Sequence, residues 1–336
     1  MPRQTKVIEG APGFGPLREE FDAIEALNAF YTTHGWDCQY RQIGKGRLHV
    51  SLVSRVTERL AVGSESVNRR IWGQTRSADG VFSVMIAVTK ANILVNGRAL
   101  SRTRMIIAPP NESMDMVLGR GAYPLTFLVP VGTFNEYCHT TDDDEAAAAI
   151  RTLSVYSFGD DALDPIRKLI LEAIGNKPDP EVDTLFEESL LIELARLMNS
   201  DECQKVTRDP YLRIRKRDTT RRAIEYIHDN ITENIRMEDL CELCSSSLST
   251  LERRFKRFLH VSPKQYVLTA RLNRVRRDLL DPDYFDLSIA EIAMRYHLLH
   301  MGRFSAHYQM LFGRLPSEDR EIAMDVASEF ESQHRA

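Results

Sequence analysis

No run in the 336-residue sequence approaches the roughly 18 consecutive apolar residues that a membrane-spanning helix requires, so no membrane span is expected. The opening residues MPRQTKVIEGAPGFGP lack the apolar core of a secretory signal, and the expected location is the cytoplasm. Cysteine is scarce and odd in number. Cys38, Cys138, Cys203, Cys241 and Cys244 are scattered, which fits reduced thiols better than a disulfide framework. There is no G-x-x-x-x-G-K-S/T phosphate loop and no G-x-S-x-G nucleophile elbow. A strand-borne metal centre would need several His and carboxylate ligands, but between Gln39 and His139 the only histidine besides His139 is His49. Cys241 and Cys244 have the spacing of a redox or zinc pair, yet no second pair accompanies them. No catalytic residue, metal or cofactor is therefore expected, and the chain does not read as an enzyme.

What is present describes a globular protein of more than one domain: 43% apolar and 27% charged residues over a length too great for one ordinary core. The net charge of −4 conceals an asymmetry. Between Thr207 and Arg320 there are 21 Lys and Arg against 16 Asp and Glu, an excess of five positive charges that leaves the remainder at −9. Basic charge concentrated in one region is a weak pointer to nucleic acid, because solvated helix faces are also rich in arginine.

The texture changes near residue 140. From about Gln39 to Cys138, short runs rich in β-branched and aromatic residues recur: LHVSLVSRV, FSVMIAV, ANILVNG, RMIIAPP and LTFLVPV. Turn signals separate them, such as Asn96-Gly97, Pro109-Pro110-Asn111 and Gly119-Arg120-Gly121. This spacing predicts an antiparallel sandwich or barrel. After His139 the pattern is helical. A helix is expected from the acidic residues 142 to 145 through AAAAIRTLSVY, and another begins at Asp164-Pro165, with Asp164 as cap, and stops at Gly175. A third carries Val182, Leu185, Phe186, Leu190, Leu194, Leu197 and Met198 at helical spacing. That stripe fits packing on the β region and a subunit interface equally well. The polar stretch 201–217, interrupted by Pro210 and ending in a basic cluster, reads as a linker.

Asp218 or Thr219 can cap the next helix, whose Ala223, Ile224, Ile227 and Ile231 form an apolar face. Two helix-turn-helix patterns follow. In MEDLCELCSSSLSTLERRF, Leu240 with Leu251 and Phe255 would anchor a pair of helices from inside, with Ser247 capping the second. That rotation turns Ser249, Glu252, Arg253 and Arg257 outward, toward a major groove. In SIAEIAMRYHLLHMGRFSAHYQMLFGRLPSE the anchors are Ile292, Phe304, Tyr308 and Phe312. Ile292, Ala293, Phe304, Tyr308, Phe312, Gly313 and Pro316 stand at the spacing of the signature of AraC/XylS transcription regulators, and HVSPKQYV is similar to the turn between that family's two DNA-binding units. The sequence over roughly Thr220 to Ser317 thus resembles the AraC/XylS family closely. It departs from the family at His260, which replaces a glycine, and at Ser245 and His297 in the two helix-turn-helix turns, where the pattern has glycine and a residue other than glycine would take a positive φ.

By that resemblance, His300, Met301, Gly302, Arg303, Ala306 and His307 occupy or adjoin the DNA-facing start of the second recognition helix. Arg271 supports the fold. The region before residue 200 resembles the family's cupin-like regulatory domains, including those of regulators of ethanolamine breakdown, through its strands and the P-P-N-E-S segment. The resemblance implies an α+β protein: an antiparallel β-barrel sensor with flanking helices, and an all-α double helix-turn-helix domain. The expected organisation is an effector-sensing and dimerisation domain over 1–200, a linker over 201–217, a DNA-binding domain over 218–320 and a tail over 321–336. Implied partners are double-stranded promoter DNA, RNA polymerase, a small-molecule effector and a second copy of the chain in a homodimer. Trp36, Trp72, Phe82 and Phe127 are candidates to line the effector pocket, although each fits an ordinary core or rim position better. The expected function is that of a sequence-specific, effector-controlled transcriptional activator. The alternative from another class is a small-molecule binding protein whose helical tail mediates protein contacts.

Overall fold

The computed structural model describes residues 15–33, 36–89, 92–141, 144–177, 179–201, 203–206 and 219–334. Its contacts divide the chain into two compact units. Among the described residues, the first holds 15–40, 49–68 and 72–206, and the second holds 41–48, 69–71 and 219–334. Most of the expected linker, 207–217, lies outside the described residues, as do Asp218 and residues 142 and 143 of the expected helix start.

The strands are β1 (Gly15–Phe21), β2 (Asp37–Gln42), β3 (Val50–Val56), β4 (Ala61–Val67), β5 (Ile71–Arg76), β6 (Val81–Ala87) and β7 (Ile93–Val95). They continue with β8 (Arg98–Ala99), β9 (Arg104–Ala108), β10 (Ser113–Leu118), β11 (Pro124–Pro130), β12 (Ser154–Ser157) and β13 (Gln204–Lys205). One sheet runs β1-β3-β4-β11-β6-β9-β12-β13 and the other β2-β5-β10-β7-β8. These two hydrogen-bonded orders do not close on themselves among the described residues, so the expected barrel is seen as two open sheets. The strand β6 is buried along its whole length, as its unbroken VFSVMIA composition requires at the centre of a covered sheet. Asn96 and Gly97 make the two-residue β7–β8 turn with φ of 50° and 74°, a left-handed pair that glycine and asparagine adopt at least cost.

Among the described residues, five helices accompany the sheets: α1 (Ile24–Thr33), α2 (Val131–Thr140), α3 (Asp144–Ala149), α4 (Asp164–Gly175) and α5 (Pro180–Met198). Phe82, Val84, Ile86 and Phe127 form one core with Phe134, Ile166, Ile170, Leu190, Leu194 and Leu197 of the helices. Burying each such side chain is worth about 1.5–3 kcal/mol. Arg55, 1% exposed, pairs with Asp183 and donates to the Ala173 carbonyl at 2.8 Å, which ties α4 and α5 to β3 and gives the buried cation a counter-charge.

Several expectations are corrected here. The helix through AAAAIRTLSVY stops at Ala149, and Ser154–Ser157 becomes a strand because Val155 and Tyr156 complete the sheet beside β9. The residue that caps α4 is Leu163; Asp164 is the first helical residue, and its carboxylate pairs with Arg102 and Arg167. Gln204 and Lys205, expected in the linker, pair with β12 as an edge strand.

The second unit comprises α6 (Thr219–Asp229), α7 (Met237–Leu243), α8 (Leu248–Leu259), α9 (Pro263–Leu280), a 3-10 turn at Pro282–Tyr284, α10 (Ile289–Arg295), α11 (Met301–Phe312) and α12 (Pro316–His334). The expected tail after residue 320 is therefore helical as far as His334. Segment 41–48 is an integral part of this unit. The fully buried Gln42 donates through Nε2 to the Leu311 carbonyl at 2.6 Å, and its backbone N–H donates to Asn273 Oδ1 at 3.1 Å. Gly46 N–H supplies a further donor to the last turn of α11, 3.0 Å from both the Met310 and Leu311 carbonyls. These bonds satisfy carbonyls that a helix end leaves without an internal partner.

Candidate nucleic-acid interface

The first helix-turn-helix is α7, a turn over 244–247, and α8. Leu240, Leu251 and Phe255 are each 0% exposed. Ser247 Oγ accepts from Thr250 N–H at 3.4 Å and caps α8, so the helix starts where the Ser-rich turn ends. With 251, 255, 258 and 259 inward, Ser249, Arg253 and Arg257 are exposed and Glu252 is half-buried. Lys256, which the sequence reading passed over, lies on the same exposed helix three residues beyond Arg253. The anchor beneath is aromatic: the rings of Phe255 and Tyr266 lie 5.8 Å apart, and Tyr266 Oη meets His228 Nε2 at 2.9 Å. Burial, followed by the charges of Arg41 and Arg274, pushes the His228 pKa down to about 3, so this imidazole is neutral at pH 7.

The second helix-turn-helix is α10, a turn over 296–300, and α11. Ser288 Oγ accepts from Glu291 N–H at 3.2 Å while the Glu291 carboxylate accepts from Ser288 N–H at 2.8 Å, a reciprocal cap. Ile292, Phe304, Tyr308 and Phe312 are all buried, and the Tyr308 and Phe312 rings lie 4.6 Å apart. Below them Asp319, 2% exposed, accepts from Tyr308 Oη at 2.7 Å and pairs with Arg276 Nε at 3.1 Å. Arg276 in turn lies over the Phe312 ring at 4.6 Å. On the outer side Gly302, Arg303 and Ala306 are exposed, as is His300 at the helix start; Met301 and His307 are half-buried.

The turns explain how the sequence departs from the glycine pattern without losing the fold. Ser245, His260 and His297 have φ of 44°, 61° and 55°. All three occupy the left-handed region that glycine would occupy, at a cost on the order of 1 kcal/mol each. Gly313 ends α11 at φ 76°, and there a Cβ would approach the Arg47 backbone nitrogen at 2.8 Å, so glycine is required twice over.

Other candidate residues are placed as follows. Phe82 and Phe127 lie on the helix-covered face of the larger sheet, whereas Trp36 packs on Ala61, Val81 and Leu128, and Trp72 is buried in β5. The structure does not bring the four together. Cys244 is buried with Sγ 3.1 Å from the Thr219 carbonyl, and neither it nor Cys241 is in a disulfide among the described residues. Arg271 donates to the Glu233 carbonyl at 2.6 Å, a fold-supporting bond. Among the described residues no group of three or more His, Cys, Asp and Glu could hold a metal, and no helix is long and apolar enough to cross a membrane.

Two helix-turn-helix units in one compact body, each presenting an outer helix face above a buried aromatic anchor, define a DNA-binding regulator. A family of helix-turn-helix domains matches residues 240–322. The chain is 25% identical over 226 residues to the XylDLEGF operon transcriptional activator of Pseudomonas putida, spanning 66% of this chain and 68% of that protein. It is 35% identical over 97 residues to the XylDLEGF operon transcriptional activator 3 of Pseudomonas putida, spanning 29% of each. A solved transcriptional regulator with an AraC-type DNA-binding domain, from Chromobacterium violaceum, is 30% identical with a TM-score of 0.29, covering 31% of this chain and 91% of that one. The chain resembles AraC/XylS regulators and is a DNA-binding transcriptional regulator.

Proposed function

We propose that the chain is a sequence-specific transcriptional activator whose helices α8 and α11 enter successive major-groove segments on one face of promoter DNA, about 34 Å apart. What supports this is one observation: the buried anchors Leu251, Phe255, Phe304 and Tyr308 fix the rotation of both helices so that Arg253 and Arg303 are exposed. Each arginine reads a guanine edge. Ser249, Glu252 and Arg257 flank the first contact, and His300, Met301, Gly302, Ala306 and His307 flank the second. Phosphate contacts by Lys and Arg supply most of the affinity, and the base contacts supply selectivity.

The first unit senses a small-molecule effector and pairs two copies of the chain. On α5, Val182, Leu185 and Ile192 remain 46%, 64% and 52% exposed although Leu190, Leu194 and Leu197 are buried, which leaves an apolar face for a partner subunit. Activation proceeds in the cytoplasm through contact with RNA polymerase. Selection of duplexes from a randomised pool by the full-length protein tests the central reading. Enrichment of one sequence, bound with an affinity that falls steeply with salt, is expected; absence of any enriched sequence contradicts it.

A further inference from the structure

Between the two helix-turn-helix units lies a groove of about 680 Å³. It is lined from both sides: Ile235 and Met237 precede or begin the first helix-turn-helix, Ser262 and residues up to Arg271 form the cap and first half of α9, and residues 297–307 belong to the second turn and recognition helix. Its chemistry is one-sided. The ionisable residues lining it are Lys264, Arg271, His297, His300, Arg303 and His307, and no Asp or Glu lines it. Lys264, His297, His300 and Arg303 are all exposed, and Gln265 is an exposed donor beside Lys264. The floor is apolar, with Val267, Leu298 and Phe304 buried, so the polar rim is held on packed elements rather than on a loose loop. The N-terminal end of the 18-residue helix α9 adds the partial positive charge of the helix dipole, although Pro263 carries no N–H and the Gln265 N–H donates to Ser262 Oγ at 3.2 Å.

We propose that this groove seats the sugar–phosphate backbone of the DNA segment between the two major-groove contacts, with Lys264 and His307 as phosphate-binding residues. The inference rests on the reading of α8 and α11 as recognition helices. Position and charge lead to it. A helix in the major groove is flanked on both sides by phosphate strands, since that groove is only about 12 Å wide. Arg303 belongs both to the exposed face of α11 and to the wall of the groove, so DNA that reaches Arg303 carries a strand across it. A concave strip of positive charge without a carboxylate complements a strand bearing one negative charge per phosphate. The groove then fixes the distance between the two base-reading contacts, and the protein recognises three consecutive features: a major-groove face, a backbone and a second major-groove face.

The test uses the full-length protein and the duplex enriched from the randomised pool, with neutral methylphosphonate linkages placed either between the two contacted segments or outside them. Central substitution should weaken wild-type binding more than outer substitution. It should also lower the slope of log affinity against log salt by about 0.9 for each contacted phosphate. Lys264→Ala should lower the slope on the unmodified duplex by about one such increment, add nothing on the centrally substituted duplex, and be rescued by Lys264→Arg. Equal effects of central and outer substitution, in a protein that still selects one sequence, would overturn the groove assignment and leave the recognition helices standing. Loss of selection altogether would instead remove the reading on which it rests. Tight binding that ignores the central phosphates but is displaced by octanoate would assign the groove to an amphipathic anion and also overturn the proposal.

Discussion

The two helix-turn-helix units share a framework and differ in almost everything laid on it. Both have a short first helix, a left-handed residue in the turn, and a 12-residue second helix anchored by buried aromatic or aliphatic residues. The first presents Arg253, Lys256 and Arg257 and is capped by Ser247. The second presents Gly302 and Ala306 around Arg303, and His300 makes no side-chain cap. Beneath the surface the order reverses. The first unit rests on a neutral His228–Tyr266 pair, whereas the second is braced by the Tyr308–Asp319–Arg276 network and by Gln42 at the end of α11. A charged outer surface over a simple anchor, beside a bare surface over a polar anchor, shows that framework and reading surface vary independently.

The largest expected effect breaks the second anchor alone. Asp319→Ala removes the carboxylate that Arg276 and the Tyr308 hydroxyl share in a buried site, and removing one partner of such a pair costs about 3–5 kcal/mol. Chemical denaturation of the full-length protein should show that loss in the transition of the helical compact unit that holds both helix-turn-helix units, with the transition of the strand-rich unit unchanged. Next come the reading residues. Arg253→Ala and Arg303→Ala should each lose about 1–3 kcal/mol on the selected duplex, a weakening of roughly 5-fold to 150-fold, and much less on a scrambled one. Band shifts would sink the base-reading role if both duplexes weakened by the same factor, because the arginines would then serve only phosphates.

The third prediction separates the anchors by pH. His228 has its pKa depressed to about 3, so between that value and the ordinary 6.5 the unfolded chain binds a proton that the folded chain does not. Its contribution is therefore complete above about pH 6.5 and declines as pH falls, by up to ~1.4 kcal/mol per pH unit. Thermal melts from pH 7 to pH 4 should show this slope, and His228→Gln should flatten it. The smallest effect concerns the bare surface. Nothing lies within 4 Å of a Cβ built on Gly302, so packing does not demand glycine there. Gly302→Ala should raise stability by up to ~1 kcal/mol. Gly302→Leu should fold equally well yet weaken DNA binding, if glycine is there to let the backbone approach DNA.

The second unit was the more legible because its function forces a spacing onto the sequence. Ile292, Phe304, Tyr308, Phe312, Gly313 and Pro316 stand in one register, and each is buried or, like Gly313, takes the left-handed turn that the register demands. The strand-rich region was legible only in outline. Its runs were recognisable, but β1 and α1 precede the stretch where the strand pattern was evident, and the face on which a strand residue lies depends on what covers the sheet. Phe82 and Phe127 show this: as aromatic strand residues they suited a pocket, yet α2, α4 and α5 cover their face. The groove and the Gln42 brace were illegible because their residues come from distant segments with no shared period.

Guanine-methylation interference on the selected duplex, with the full-length protein, tests the central claim most directly, since methylation at N7 blocks a major-groove contact. The account predicts two interfering guanine clusters on one face of the DNA, about 10 base pairs apart, the first lost from the pattern in Arg253→Ala and the second in Arg303→Ala. A single cluster, or two clusters that both persist in each variant, would contradict it.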